Sequence, residues 1–131
     1  MSVSIPVPWG ELIDKITILE IKKEELSNPE ALANVSREHD ALSAVQAQHA
    51  PMPDGLAEVK QALLEVNRQL WKIEDDIRDC ERQGDFGPVF IELARSVYIT
   101  NDRRAALKRQ VNELMNSDLF EEKSYTDYQN G

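Results

Sequence analysis

The sequence predicts an all-α fold: a helical bundle built on a long antiparallel hairpin (about 54–83 and 86–115) and covered by two shorter helices (about 9–26 and 29–49). Three observations predict it. Leu56, Val59, Leu63, Val66, Leu70, Ile73, Ile77 and Cys80 step by 3 and 4 in alternation, the spacing of one helix stripe. Phe90, Leu93, Val97, Thr100, Arg104, Leu107, Val111 and Leu114 repeat the same rhythm. Run antiparallel, the stripes pair layer by layer with residue numbers adding to 170, from Cys80 with Phe90 to Leu56 with Leu114.

Each element follows from local chemistry. Residues 1–8 read as an extended arm, because Pro6 and Pro8 bias the residues before them away from helix. In the first helix Trp9, Leu12, Ile13, Ile16 and Leu19 make one stripe, while Ile18 and Ile21 lie on the other side. The run Ile16-Thr17-Ile18-Leu19-Glu20-Ile21 is rich in β-branched residues and would suit a strand, but the flanking helical period keeps it helical. Two apolar faces make this helix either the central element of the bundle or one that holds a face for a second subunit. Asn28-Pro29 starts the next helix with a capping side chain and a proline at the first helical position. That helix is Ala-rich, with a thinner stripe of Leu32, Val35, His39, Leu42 and Val45. Pro51-Met52-Pro53-Asp54 ends it and caps the third. Gly84 suits a left-handed stop, Asp85 the N-cap of the fourth helix, and Pro88 its first turn. The last stripe passes through Thr100-Asn101-Asp102 in phase, which predicts one helix, bent there at most. Ser117 to Lys123 reads as a final helical turn and residues 124–131 as a polar tail.

Composition bounds the function. With 131 residues the chain reads as one domain, 1–131, able to bury a core without staples. A net charge of −9 argues against binding nucleic acid through its phosphates and against adsorption to anionic lipid, so neither partner is expected. The single cysteine, Cys80, cannot form an internal disulfide, which points to a reducing, cytoplasmic setting. There is no membrane-length apolar run, and the N-terminus lacks the basic and apolar regions of a signal peptide.

Two of the eight seam layers carry a polar side chain: Leu70 faces Thr100, and Val66 faces Arg104. Beside the seam, Lys60, Leu64, Asn67, Trp71, Glu74 and Arg78 form a second stripe. One step from the same register, Glu74 meets Arg95, Trp71 meets Tyr98 and Asn67 meets Asp102. The candidate ligand-binding patch is therefore Asn67, Trp71, Glu74, Arg95, Tyr98, Asn101, Asp102 and Arg104. Such groups either fix register at some cost in stability or line an anion pocket between helices. Arg104 keeps the second reading open, since leucine would cost less at a seam position. Residues 92–110 carry five cations against two carboxylates, a basic segment that receives an anion or pairs with the acidic faces of the first and third helices.

No metal or cofactor is expected. Asp75, Asp76 and Asp79 lie outward on the third helix, and Glu20 finds its nearest cation in Lys23 one turn on. His39 sits on an apolar face, where a core histidine with one hydrogen bond is the simpler role. His39 and His49 lack zinc-ligand spacing, and neither Cys-x-x-Cys nor His-Glu-x-x-His occurs. No catalytic triad, glycine-rich phosphate loop or Walker motif is present.

Gly10-Glu11-Leu12-Ile13-Asp14-Lys15-Ile16-Thr17-Ile18-Leu19-Glu20-Ile21-Lys22 resembles the opening signature of a family of small, uncharacterised bacterial proteins, a domain of unknown function. Leu70 to Asp75, Val97 to Arg109 and Glu121 to Tyr125 are similar to its later blocks. The resemblance covers most of the chain and implies no catalytic assignment. Its motif positions include Trp71, Glu74, Tyr98, Asn101, Asp102 and Arg104, part of the patch that the helix pairing assembles.

These readings lead to a non-enzymatic, helical interaction or structural module that self-associates through its first helix. One alternative is a binder of small anionic metabolites, or an enzyme, using the patch around Arg104. A weaker one is a magnesium-dependent nucleotide pyrophosphohydrolase, favoured by acidic helices but lacking inward-facing Glu-x-x-Glu blocks.

Overall fold

The computed structural model describes residues 1–129. It holds four helices: α1 (Trp9–Glu25), α2 (Pro29–Ala47), α3 (Leu56–Gln83) and α4 (Pro88–Leu114). Asn28 caps α2, its Oδ1 accepting from the backbone N–H groups of Glu30 and Ala31 at 2.9 and 3.1 Å. α3 starts later than the sequence suggests. Gly55 takes a left-handed conformation (φ +89°) at its N-cap, so Asp54 does not serve as the cap. At the other end Gly84 adopts φ +68°, and the freed carbonyls of Cys80 and Glu81 accept from the next turn. Asp85 does not cap α4 either; its Oδ1 accepts from Gly87 N–H at 3.1 Å and shapes the turn that delivers Pro88 to the first helical position. α4 runs unbroken through Thr100-Asn101-Asp102. The helical turn expected over Ser117–Lys123 does not form. Beyond Asn116, which is left-handed at φ +50°, the chain is irregular and lies along α4, held by side chains rather than backbone bonds. Of the expected polar tail, residues 130 and 131 lie outside the described residues.

The hairpin brings α3 and α4 together along their stripes. Leu56, Leu63 and Val111 form the buried centre, with Val59, Leu107 and Leu114 packed around them. Arg103 crosses from one arm to the other, donating to Gln69 Oε1 at 2.9 Å. Each aliphatic side chain buried here contributes about 1.5–3 kcal/mol.

α1 lies against both arms, parallel to α3 and antiparallel to α4. Ile13 joins the hairpin core, and Leu12, Ile16, Leu19 and Ile21 are buried as well. α2 folds back on α1 and touches neither hairpin arm at backbone range, so it does not cover the hairpin as expected. Its contribution is to close the outer side of α1. α1 is thus the central helix, packed against both hairpin arms and α2, with Ile18 left half-buried.

Length fixes what remains uncovered. At about 1.5 Å per residue, α1 extends about 25 Å and α3 about 42 Å. α1 ends beside Trp71 and Lys72, where Ile21 and Glu25 share a cleft with them. From there outward the hairpin is only two helices thick.

Candidate functional site

At Gly10 the backbone of α1 lies tightly against α4. A Cβ there would run into the carbonyl of Lys108. Its N–H instead donates to Asn112 Oδ1 at 2.6 Å. From this contact a ladder of polar side chains climbs the interface, one rung per helical turn. Lys108 donates to Glu11 Oε2 at 2.9 Å, and on its other side to Glu121 Oε2 at 2.8 Å. Burial alone would lower the Lys108 pKa, but the hydrogen bonds to Glu11 and Glu121 override it and hold the ammonium above its ordinary value.

The next rung is Asp14, which is fully buried. Arg104 grips its carboxylate side-on, Nε reaching Oδ1 at 3.0 Å while Nη2 donates to Oδ2. That hydrogen bonding, working against burial, raises the guanidinium pKa further. Asn67 donates from Nδ2 to both Asp14 Oδ1 and Thr17 Oγ1 at 2.9 Å, and the Thr17 hydroxyl donates back to the Asp14 carbonyl at 2.7 Å. The amide orientation follows from chemistry, since only an NH2 can face a carboxylate. Its Oδ1 is thereby turned elsewhere, and among the described residues nothing donates to it.

Beyond this rung, beside the later turns of α1, a cleft of about 320 Å³ opens. Ile18 and Ile21 of α1 and Leu70 and Trp71 of α3 supply apolar walls. Asn67, Arg104, Arg78, Glu74 and Asp75 supply the polar edge. Trp71 also borders a second, more polar cleft with Glu25, Arg68 and Lys72, so its indole stands as a partition between the two.

The structure thus brings four of the eight sequence-derived residues to one cleft: Asn67, Trp71, Glu74 and Arg104. The other four go elsewhere. Tyr98 stacks edge-on against Tyr128 of the C-terminal segment, ring centroids 5.1 Å apart. Asp102 lines a separate cleft with Tyr125 and Tyr128, and burial together with its carboxylate raises the Tyr128 pKa. Arg95 is exposed and its nearest carboxylate is Glu92 on its own helix, at 3.9 Å. Asn101 is half-buried and lines neither cleft.

The cross-arm pairings give way for two physical reasons. Glu74 and Arg95 each find an opposite charge one turn away on the same helix, Arg78 and Glu92, at a lower entropic cost than reaching across. Trp71 and Tyr98, and Asn67 and Asp102, are drawn apart by segments that the pairing of two helices ignores: α1 on one side and the C-terminal segment on the other. The expected Glu20–Lys23 pair also does not form. Glu20 faces Lys60 at 3.7 Å and His39 Nε2 at 3.6 Å, while Lys23 approaches His39 Nδ1 at 3.2 Å.

Sequence reasoning missed Asp14 and Thr17. A signal was available. Gly10, Ile13, Asp14, Thr17 and Ile21 share one face of α1, and a seam arginine and a neighbouring asparagine on the hairpin needed an acceptor there.

A family model matches residues 1–129. The chain belongs to DUF6165, a family of unknown function. No characterised protein and no solved structure matches it. In this DUF6165 chain four acidic side chains of α1 are met by cations of the hairpin: Glu11 by Lys108, Asp14 by Arg104, Glu20 by Lys60 and the exposed Glu24 by Arg68. Among the described residues no three His, Cys, Asp or Glu side chains converge to hold a metal ion. No helix of the described residues is long and apolar enough to cross a membrane.

Proposed function

We propose that this chain is a non-catalytic binding module. Its ligand is a small molecule with a flat apolar body and a single anionic group, held in the cleft where α1 ends. The observation that carries this reading is the composition of the cleft. Four apolar side chains enclose a volume at the lower end of the range of about 300–1,000 Å³ that small-molecule sites occupy, and a few polar groups converge on it. An aromatic ring would lie on Trp71 between Ile18, Ile21 and Leu70. Its carboxylate or phosphate would reach Arg78, whose pairing with Glu74 is long (3.8 Å) and exposed and therefore easily exchanged. Arg104, whose charge is met by Asp14, is held in a fixed orientation at the inner edge, and Asn67 Oδ1 is an acceptor ready for a donor on the ligand.

Thermal unfolding in the presence of 1-naphthoate, indole-3-acetate or inorganic phosphate tests the reading. An aromatic carboxylate at tenfold its Kd stabilises by about 1.4 kcal/mol, a rise of about 5 °C for a chain of this size. Trp71→Ala should fold and lose that response, and Arg78→Gln should weaken it. Phosphate alone matching the aromatic acids, or Trp71→Ala responding as strongly as the wild type, would defeat the proposal.

A further inference from the structure

Asp75 lines both clefts that Trp71 separates, and among the described residues no cation lies within ion-pair range of it. The neighbouring cations are already engaged. Arg78 faces Glu74 at 3.8 Å, and Lys72 faces Asp76 at 3.1 Å. Arg82 faces Asp79 at 3.3 Å, Arg68 faces Glu24 at 2.9 Å, and Arg95 of α4 stays with Glu92 at 3.9 Å. Arg104 is held by the buried Asp14. Asp75 is therefore an exposed carboxylate at the polar edge of an apolar cleft, with no countercharge of its own.

Trp71, Glu74, Asp75 and Arg78 stand at positions i, i+3, i+4 and i+7 of α3, so they share one face of it. An anion that draws Arg78 away from Glu74 leaves two adjacent carboxylates, Glu74 and Asp75, without a cation. A purely anionic ligand would bind against that repulsion. A ligand that carries an ammonium beside its carboxylate relieves it. Side chains three residues apart on a helix are neighbours, with about 5–6 Å between Cβ atoms. Asp75 and Arg78 are thus spaced to take two opposite charges borne on one carbon.

We propose that the ligand of this cleft is an aromatic α-amino acid, with its ring on Trp71, its ammonium at Asp75 and Glu74, and its carboxylate at Arg78. This ligand class rests on the cleft being a binding site for an aromatic anion. The ammonium separates it from simple aromatic acids, and Asp75 is the residue that distinguishes the two.

Three indole compounds with the same ring test the assignment: L-tryptophan, indole-3-propionate, which lacks the ammonium, and tryptamine, which lacks the carboxylate. Each is titrated unlabelled at pH 7 into the ¹⁵N-labelled full chain, and the indole N–H signal of Trp71 reports occupancy. L-Tryptophan should bind about threefold or more tightly than either of the others. In Asp75→Asn its advantage over indole-3-propionate should vanish. In Arg78→Gln its advantage over tryptamine should vanish instead. Both side chains are exposed, so both variants should keep the wild-type melting temperature. Indole-3-propionate matching L-tryptophan on the wild type, or Asp75→Asn keeping the preference, would overturn the amino-acid assignment and leave the aromatic-anion reading in place. Tryptamine matching L-tryptophan would overturn it as well. A Trp71 signal that none of the three compounds moves would overturn both.

Discussion

Replacing Arg104 by leucine would fill a seam position with an apolar side chain, and on the hairpin pairing alone it should stabilise the fold. The structure predicts the opposite. Asp14 has no exposed surface, and among the described residues Arg104 is its ion-pair partner. Removing one partner of a buried ion pair leaves an uncompensated charge, which costs about 3–5 kcal/mol. Arg104 has 29% side-chain exposure and so is partly screened by water, which places the expected loss near about 3 kcal/mol. With an unfolding entropy of about 2.1 cal/mol/K per residue, the chain would lose about 11 °C in melting temperature. Asp14→Asn added to Arg104→Leu removes the stranded charge while keeping an acceptor for the Asn67 amide. The double variant should therefore regain about a third to two-thirds of the loss, because a buried amide is left short of a partner at about 1–2 kcal/mol. Thermal unfolding followed by circular dichroism measures all four members of the cycle. An Arg104→Leu protein as stable as wild type, or a double variant weaker than Arg104→Leu alone, would refute the assignment of Arg104 to Asp14.

Two further predictions rest on the same interface. Gly10→Ala forces α1 away from the Lys108 carbonyl, and should cost about 2 kcal/mol in urea unfolding; an unchanged midpoint would show that the helix is not seated there. Acid should release the C-terminal segment. Hydrogen bonding to Lys108, stronger than the opposing effect of burial, holds the Glu121 pKa below its ordinary value of 4.5. Its contribution is therefore complete above 4.5 and disappears as pH falls through the lower folded value. Amide NMR signals of Ser117–Tyr125 should shift together in that window in the wild type and stay flat in Glu121→Gln, whereas identical titrations would place the anchor elsewhere.

The hairpin was legible because a seam is periodic, and its two stripes carry their register in the spacing of their own residues. The capping of α2 by Asn28 and the left-handed stop at Gly84 were legible for a similar reason, since each is a local device of one or two residues. The apolar residues on both sides of α1 left a choice between a central helix and a subunit interface; α1 takes the central place, packed against α2 and both hairpin arms. What the sequence concealed is long-range polar chemistry. Asp14 and Arg104 are 90 residues apart and Asn67 and Thr17 are 50 apart, and no periodicity links them. Tyr98 and Asp102 lie apart from the other patch residues because their partner, Tyr128, is in an irregular segment held by side chains that no repeat announces. The split of the candidate patch into two clefts is the consequence. Four residues stayed together where α1 ends, and that end depends on helix length, which Leu26 and Asn28 fix locally.

Binding of a small aromatic anion in the cleft beside Trp71 can be observed at the tryptophan itself. The chain has two tryptophans, so each serves as the control for the other. Trp71 walls the cleft, whereas Trp9 packs edge-on to His49, with centroids 5.0 Å apart, at the opposite end of α1. Titrating the ¹⁵N-labelled chain with 1-naphthoate while following both indole N–H signals, assigned with Trp9→Phe, measures occupancy directly. The Trp71 signal should move and saturate while the Trp9 signal stays in place. Movement of neither signal, or of both in parallel, would contradict binding at this cleft.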